Sequence, residues 1–265
     1  MWPHSARGQG VDGPVMKRLI RFLFPWFYRR WERLQARVSS LEIAVDSLIV
    51  SPRYEPSESP AFNGQQHRCA IFRQLLETFP FEAILETGTH IGNTTGYMAS
   101  VSRLPVYSAE LTRRYYHLAR VRLQDFPSIT LRLLDSRDFL QEMAQSPVGQ
   151  QFVFAYLDAH WYDDLPLSRE LGLVADHWRD FVIMVDDFAV PGDSGYGYDD
   201  YGRGKTLSLR DVSPRLRELD LLAFFPDAPS STETGSRRGC VVLARRGLIA
   251  ERLRTIPSLR EVTTS

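Results

Sequence analysis

Cysteine is scarce in this chain: Cys69 and Cys240 are the only two among 265 residues, and neither sits in a CxxC or metal-finger spacing. That pattern excludes a disulfide-stapled scaffold and fits a reducing compartment, where both pack as thiols. Excess charge of either sign is also absent, since 32 basic residues balance 32 acidic ones. No overall field therefore draws the chain to nucleic acid or to an acidic surface, and any basic patch must be local. No apolar run reaches the ~20 residues that a membrane span needs. The opening "MWPHSARGQGVDGPVM" has no apolar core followed by a small-residue cleavage site, so it does not read as a secretory signal. These absences point to a cytoplasmic protein with no nucleic-acid partner, and no internal repeat is visible.

What is present divides the chain. "KRLIRFLFPWFYRRWERLQ" mixes arginines with Phe22, Phe24, Trp26, Phe27, Tyr28 and Trp31, interrupted by Arg21 and Pro25. Residues 17–31 could lie on a membrane surface as a peripheral contact, or pack on the domain or a sister subunit. Leu34, Val38, Leu41, Val45 and Leu48 then recur in steps of four and three. That spacing predicts an amphipathic or coiled-coil-like helix, and residues 32–49 as a seam for a homo-oligomer. Three prolines in residues 51–65 end the helix. The expected organisation is an N-terminal segment over 1–50, a linker or cofactor-closing segment over 51–65, and the main domain over 66–265. Within the linker, Asn63 and Gln65, followed by Arg68, are candidates to close over a cofactor.

From Gln66 onward, short apolar runs alternate with helical patterns. Strands are expected at roughly 82–87, 105–110, 129–134, 152–158, 181–186, 221–226 and 239–244. Continuous apolar runs such as "FVIMV" need cover on both faces, so the fold class is α/β, a doubly wound and mostly parallel seven-stranded sheet. A polar loop joins the last two strands without room for a crossover helix, so these are expected to be antiparallel. Ligands in such folds bind at the carboxyl ends of the strands.

After the first strand comes Glu86-Thr87-Gly88-Thr89-His90-Ile91-Gly92, and Asn93 and Thr94 open a helix. Gly88 can take backbone angles closed to other residues, and Gly92 permits close approach. The pattern lacks GxGxxG, which disfavours an NAD oxidoreductase. An acidic residue at the head of the turn would repel a pyrophosphate but can accept from an ammonium group, which favours a cationic ligand such as S-adenosylmethionine. Cofactor-binding candidates are thus Glu86, Gly88, Thr89, Gly92, Asn93 and Thr94. Glu110 ends the second strand, where its carboxylate could take two ribose hydroxyls. Asp135 and Ser136 follow the third strand and either face an adenine edge or, through Ser136, cap the next helix.

Taken in order, "ETGTHIG", "SAEL", "LLDS", "YLDAHWYDD" and "MVDDF" resemble the class I S-adenosylmethionine-dependent methyltransferases over residues 66 to 246. Within that superfamily, Asp158 with Asp186 and Asp187 is similar to the magnesium site of cation-dependent O-methyltransferases of the catechol and macrolide-sugar types. The resemblance implies a Rossmann-like methyltransferase domain, S-adenosylmethionine and Mg2+ as cofactors, and methylation of a hydroxyl on a small-molecule acceptor. Magnesium takes hard oxygen ligands, and two adjacent carboxylates after an apolar strand repel each other unless a cation lies nearby. For catalysis the candidates are Asp158 and His160, the imidazole either taking the substrate proton or serving as a structural hydrogen-bonder. Catechol-type relatives carry a lysine in the matching stretch; here Trp161 or Tyr162 stands there, and Lys17 and Lys205 are the chain's only lysines. Asp163 and Asp164 are expected to cap the next helix. The stretch "PGDSGYGYDDYGRGK", residues 191–205, combines five glycines with Tyr196, Tyr198 and Tyr201 and suits either a substrate lid or an exposed loop. The expected function is methyl transfer to a sugar or glycosylated metabolite; the other reading is a non-catalytic cofactor-fold protein docked through its N-terminal helix.

Overall fold

The computed structural model describes residues 34–35, 37–38, 41, 45, 53–55, 60–160, 164–202 and 204–262. The chain forms two compact units, Met1–Ile49 and Val50–Ser265. In the first unit, Leu34, Val38, Leu41 and Val45 are helical and exposed. The aromatic stretch 17–31 and Leu48 lie outside the described residues.

The second unit is built on one sheet. Its strands are β1 (Ala83–Thr87), β2 (Val106–Glu110), β3 (Ile129–Leu133), β4 (Val153–Leu157), β5 (Phe181–Asp186), β6 (Leu221–Pro226), β7 (Cys240–Arg245) and β8 (Leu259–Val262). They lie in the order β3-β2-β1-β4-β5-β7-β6-β8. The first five strands are parallel, whereas β7 runs antiparallel to both β5 and β6. The expected antiparallel pairing of the last two predicted strands is thus present. The expected count of seven is corrected to eight, because "LREV" adds β8 antiparallel to β6. It is four residues long with two charges, too short and too polar for its alternation to stand out in sequence.

Alternation across the central strands explains the two apolar layers. Ala83, Leu85, Val153, Ala155, Leu157, Phe181, Ile183 and Val185 face one core with Phe139, Leu171 and Trp178. Ile84, Phe154, Tyr156, Val182 and Met184 face the other with Ile71, Phe72, Leu75 and Met98. Successive strand residues point to opposite faces, so strands covered on both sides must be apolar throughout. Helices α1 (Gln66–Thr78), α2 (Asn93–Ser102) and α7 (Leu248–Leu253) belong to the second layer, and α4 (Ser136–Ala144), α5 (Leu167–His177) and α6 (Leu209–Glu218) to the first; α3 (Arg113–Arg122) lies beside α2.

The segment before α1 is packed as well. Tyr54 lies against Gly96 of α2 and meets Phe126 edge-on at 5.6 Å. Phe62 is fully buried against Phe72, Tyr97 and Tyr156. Strand order reverses between β1 and β4, which opens a crevice at their carboxyl ends.

Candidate functional site

The glycine turn leaves β1 at that crevice. Gly88 has φ 89°, and a Cβ there would stand 2.3 Å from the Asp158 carbonyl oxygen. Only glycine fits both the angle and the gap. The turn is hung on β2, with the Gly88 and Thr89 amides both donating to the Ala109 carbonyl, at 2.9 and 3.1 Å. Gly92, at φ 82°, sits where a Cβ would meet Leu123 at 2.6 Å and starts α2.

Glu86 lies beneath this turn, with 1% of its surface exposed. Its Oε2 accepts from Thr95 Oγ1 at 2.5 Å and Ser108 Oγ at 2.6 Å. Burial lifts its carboxyl to about 7, against those two hydrogen bonds. It therefore braces the turn from below and does not present a ready anion to a ligand. Neighbouring candidates are engaged in the same way. Thr89 Oγ1 lies 2.6 Å from Ser108 Oγ, Asn93 Oδ1 accepts from Arg122 Nη1 at 2.7 Å, and Thr94 Oγ1 accepts from the Phe62 amide at 3.1 Å. Glu110, 7% exposed, accepts from the amides of His90 at 2.8 Å and Thr112 at 2.7 Å, one on each oxygen. Each oxygen keeps a lone pair.

Between Asp135 and Ser136 the helix cap is Asp135, which accepts from the Arg137 amide at 2.9 Å. Hydrogen bonds from Arg137 hold its carboxyl below the usual range. Asp164 does not cap α5, whose cap position is Pro166; it pairs with Arg137 at 2.8 Å instead. Trp161, Tyr162 and Asp163 lie outside the described residues.

The three aspartates expected to hold a cation separate into two sets. Asp158 follows β4 and Asp186 ends the adjacent β5, so all three reach one end of the sheet. Asp186 is wholly buried, and its oxygens are taken by Arg68, by the Tyr156 hydroxyl at 2.5 Å and by the Asp187 amide at 2.6 Å. Burial opposes its ionisation, but the Arg68 guanidinium and the Tyr156 hydroxyl hold its carboxyl below the usual range. The all-carboxylate magnesium cage therefore does not fit these residues. Donor atoms of Asp158, His160 and Asp187 converge instead, each within 4.8 Å of the others.

Asp187 has φ 53°, left-handed for a residue with a side chain. Such strain costs of order 1–3 kcal/mol and clusters at functional sites. Burial and the neighbouring Asp186 raise its carboxyl to about 6. Burial, then Asp186 and Asp187, push Asp158 well above the usual carboxylate range. His160 is 4% exposed, and among the described residues neither ring nitrogen has a hydrogen-bond partner; its Nε2 lies 3.7 Å from Asp158 Oδ1. Burial lowers its pKa, so the imidazole is neutral at pH 7.

Two residues that the sequence reading missed, Arg238 and Asp199, build the site, and Gln65 and Arg68 brace it. Arg238 donates through Nε to Asp187 Oδ1 at 2.6 Å and also pairs with Asp199. Gln65 fixes the Arg238 backbone through two bonds, at 2.7 and 2.9 Å. Arg68, 1% exposed, donates to the Arg238 and Gly239 carbonyls besides Asp186. Gln65 and Arg68 thus brace the lead into β7. The 191–205 stretch, of which residue 203 alone lies outside the described residues, folds back over the end of β5. The Asp199 amide donates to the Asp187 carbonyl at 2.9 Å, Gly197 bridges Arg238, and Asp200 bridges Thr206. Tyr196 is buried, Tyr198 is exposed, and the Tyr201 hydroxyl reaches Asp199 and the His160 carbonyl.

No family model matches the chain, and no curated protein matches it. Solved structures do. An O-methyltransferase from Bacillus cereus, in complex with SAH, superposes with a TM-score of 0.51 at 16% identity, over 87% of this chain and 97% of that one. A Klebsiella pneumoniae protein, provisionally assigned as an O-methyltransferase, gives 0.50 at 17% identity, over 88% and 96%. The chain has the Rossmann-like class I methyltransferase fold.

Proposed function

We propose that this protein is an S-adenosylmethionine-dependent methyltransferase acting on a hydroxyl of a small, oxygen-rich acceptor such as a sugar or a glycosylated metabolite. One observation carries this reading: the Gly88 turn abuts the Asp158 carbonyl without room for a Cβ, so the cofactor turn and the Asp158–His160–Asp187 cluster are contiguous. The methyl donor and the acceptor oxygen must meet at such a junction, because transfer needs reacting atoms within ~3–3.5 Å.

The cofactor supplies an electrophilic methyl group on sulfur. The chain's residues supply position and proton uptake. Glu110, at the end of β2, offers its remaining lone pairs to ribose hydroxyls. The Asp158 side chain is 32% exposed where that of His160 is 1% exposed, so Asp158 is the group able to reach an acceptor hydroxyl and take its proton. A carboxyl raised by its surroundings is the stronger base for that task. Asp158 and Asp187 fit as oxygen ligands for a divalent cation, which when bound favours the deprotonated oxygen of an acceptor. Tyr198 and Tyr201 offer faces on which a sugar ring can stack.

Calorimetric titration of S-adenosylmethionine into the purified full chain, followed by a screen of sugars and catechols for S-adenosylhomocysteine release, tests the reading. Saturable binding with acceptor-dependent release is expected, and Asp158→Asn should retain binding but lose release. Binding of NAD in place of S-adenosylmethionine, or no nucleoside cofactor at all, would overturn it.

A further inference from the structure

We infer that Asp158, His160 and Asp187 form a mixed nitrogen and oxygen site for a first-row transition-metal dication in preference to Mg2+. The inference deepens the methyl-transfer reading by naming the cation of the same site, and to that extent rests on it.

Three observations converge. First, the donor atoms of these residues lie within 4.8 Å of one another. Donors around one such ion stand up to ~4.2 Å apart, twice a bond of about 2.1 Å, so little contraction is needed. Second, His160 is enclosed, with both ring nitrogens unpartnered among the described residues. An imidazole left so in a protein interior forfeits its hydrogen bonds unless a further partner arrives. Asp158 Oδ1, at 3.7 Å from Nε2, is too far to be that partner. Third, carboxylates outnumber guanidinium partners: among the described residues Asp186 pairs with Arg68, Asp187 and Asp199 share Arg238, and Asp158 has only His160 near it, at 3.7 Å.

The identity of the ion follows from which aspartate is absent. Arg68 and Tyr156 occupy Asp186, which removes the third hard oxygen that would suit Mg2+. Imidazole takes its place, and imidazole favours Mn2+ through Zn2+ over Mg2+, increasingly along the series. Arg238 then acts from outside, its bond to Asp187 Oδ1 leaving Oδ2 for the ion. With one Asp158 oxygen on the ion, the other remains to take a proton.

The test uses the full chain stripped with EDTA, and no turnover. Co2+ and Mg2+ are titrated by calorimetry, with Co2+ d–d absorption as a second signal, and Mn2+ is examined by pulsed EPR. The expected result is Co2+ binding at least about tenfold tighter than Mg2+, with a 14N coupling on Mn2+. His160→Ala should abolish the coupling and weaken Co2+ by about 10–100-fold or more, leaving Mg2+ nearly unchanged. If that variant does not fold, the wild-type EPR spectrum still decides. Equal affinity for Mg2+ and Co2+, no binding of either, or Mn2+ bound without nitrogen coupling would each overturn the assignment. S-adenosylmethionine titrated into the same samples separates the two ideas: metal bound without cofactor counts against methyl transfer alone, and cofactor bound without metal counts against this site alone.

Discussion

Replacing Arg68 with Met tests the division between a bracing aspartate and a ligating one. Arg68 and Asp186 are 1% and 0% exposed, and the guanidinium also donates to the Arg238 and Gly239 carbonyls. Without it, Asp186 keeps only the Tyr156 hydroxyl and the Asp187 amide. Removing one member of a buried ion pair costs about 3–5 kcal/mol, because the remaining charge is uncompensated. For a domain of this size each kcal/mol moves the melting temperature by ~2–4 °C, so a loss of roughly 6–20 °C is expected. Asp186→Asn keeps an acceptor for Tyr156 and Asp187 while removing the charge. Arg68→Met combined with Asp186→Asn should therefore be more stable than the two single losses added together, by about 2 kcal/mol, a coupling ordinary for residues in contact. Urea unfolding of the four proteins closes the cycle. A loss below about 1 kcal/mol for Arg68→Met, or strict additivity, would refute the bracing role. Asp186→Asn should also keep its Co2+ affinity, whereas Asp187→Asn should not.

Stability of the cofactor-free, cation-free chain should fall between pH 6.5 and pH 8. Burial lifts the Glu86 and Glu170 carboxyls from 4.5 to about 7. A folded-state pKa above the unfolded one gives stability that is complete below pH 4.5 and lost as pH rises through 7, roughly 3 kcal/mol per group. Asp186 and Asp135, held low, act below pH 4, whereas His160 and His90, lowered by burial, oppose the fall up to their ordinary 6.5, so the loss is read above pH 6.5. A melting temperature that is flat or rising over this range would show that these carboxyls ionise freely. Gly88→Ala should cost about 2–5 kcal/mol, combining left-handed strain with overpacking against Asp158; it should also abolish S-adenosylmethionine binding, and near-normal affinity would remove the turn from the cofactor site. Deleting residues 1–50 should lower the oligomeric state in sedimentation, or release the chain from liposomes, while leaving cofactor affinity unchanged. Identical sedimentation and partitioning for both lengths would count against the N-terminal seam and the membrane contact alike.

Much of the sheet was legible because central parallel strands must be apolar on both faces, and "AILET", "VFAYL" and "FVIMVD" say so without any partner in view. The glycine turn was legible because a short-range constraint, a positive φ beside a close backbone contact, admits one residue type. Arg238 was not, for it lies 51 positions from Asp187 and acquires meaning only when β7 inserts between β5 and β6. Arg68 was read as a cofactor-closing residue; its role became visible only once α1 covered the sheet face carrying Tyr156 and Met184.

The aspartate pair shows why neighbours in sequence need not share a task. Val182, Met184 and Asp186 have the same parity on β5, so Asp186 inherits the face that α1 covers and meets Arg68 there. Asp187 has left the strand and turns at φ 53°, which sends the chain toward Arg238 and the 191–205 excursion. A carboxylate pair read as one ligand set is thus split by strand parity into a buried brace and the carboxylate assigned to the proposed cation site. In that proposal the third ligand position falls to His160, which sequence spacing had suggested as a base and whose side chain is more deeply buried than that of Asp158.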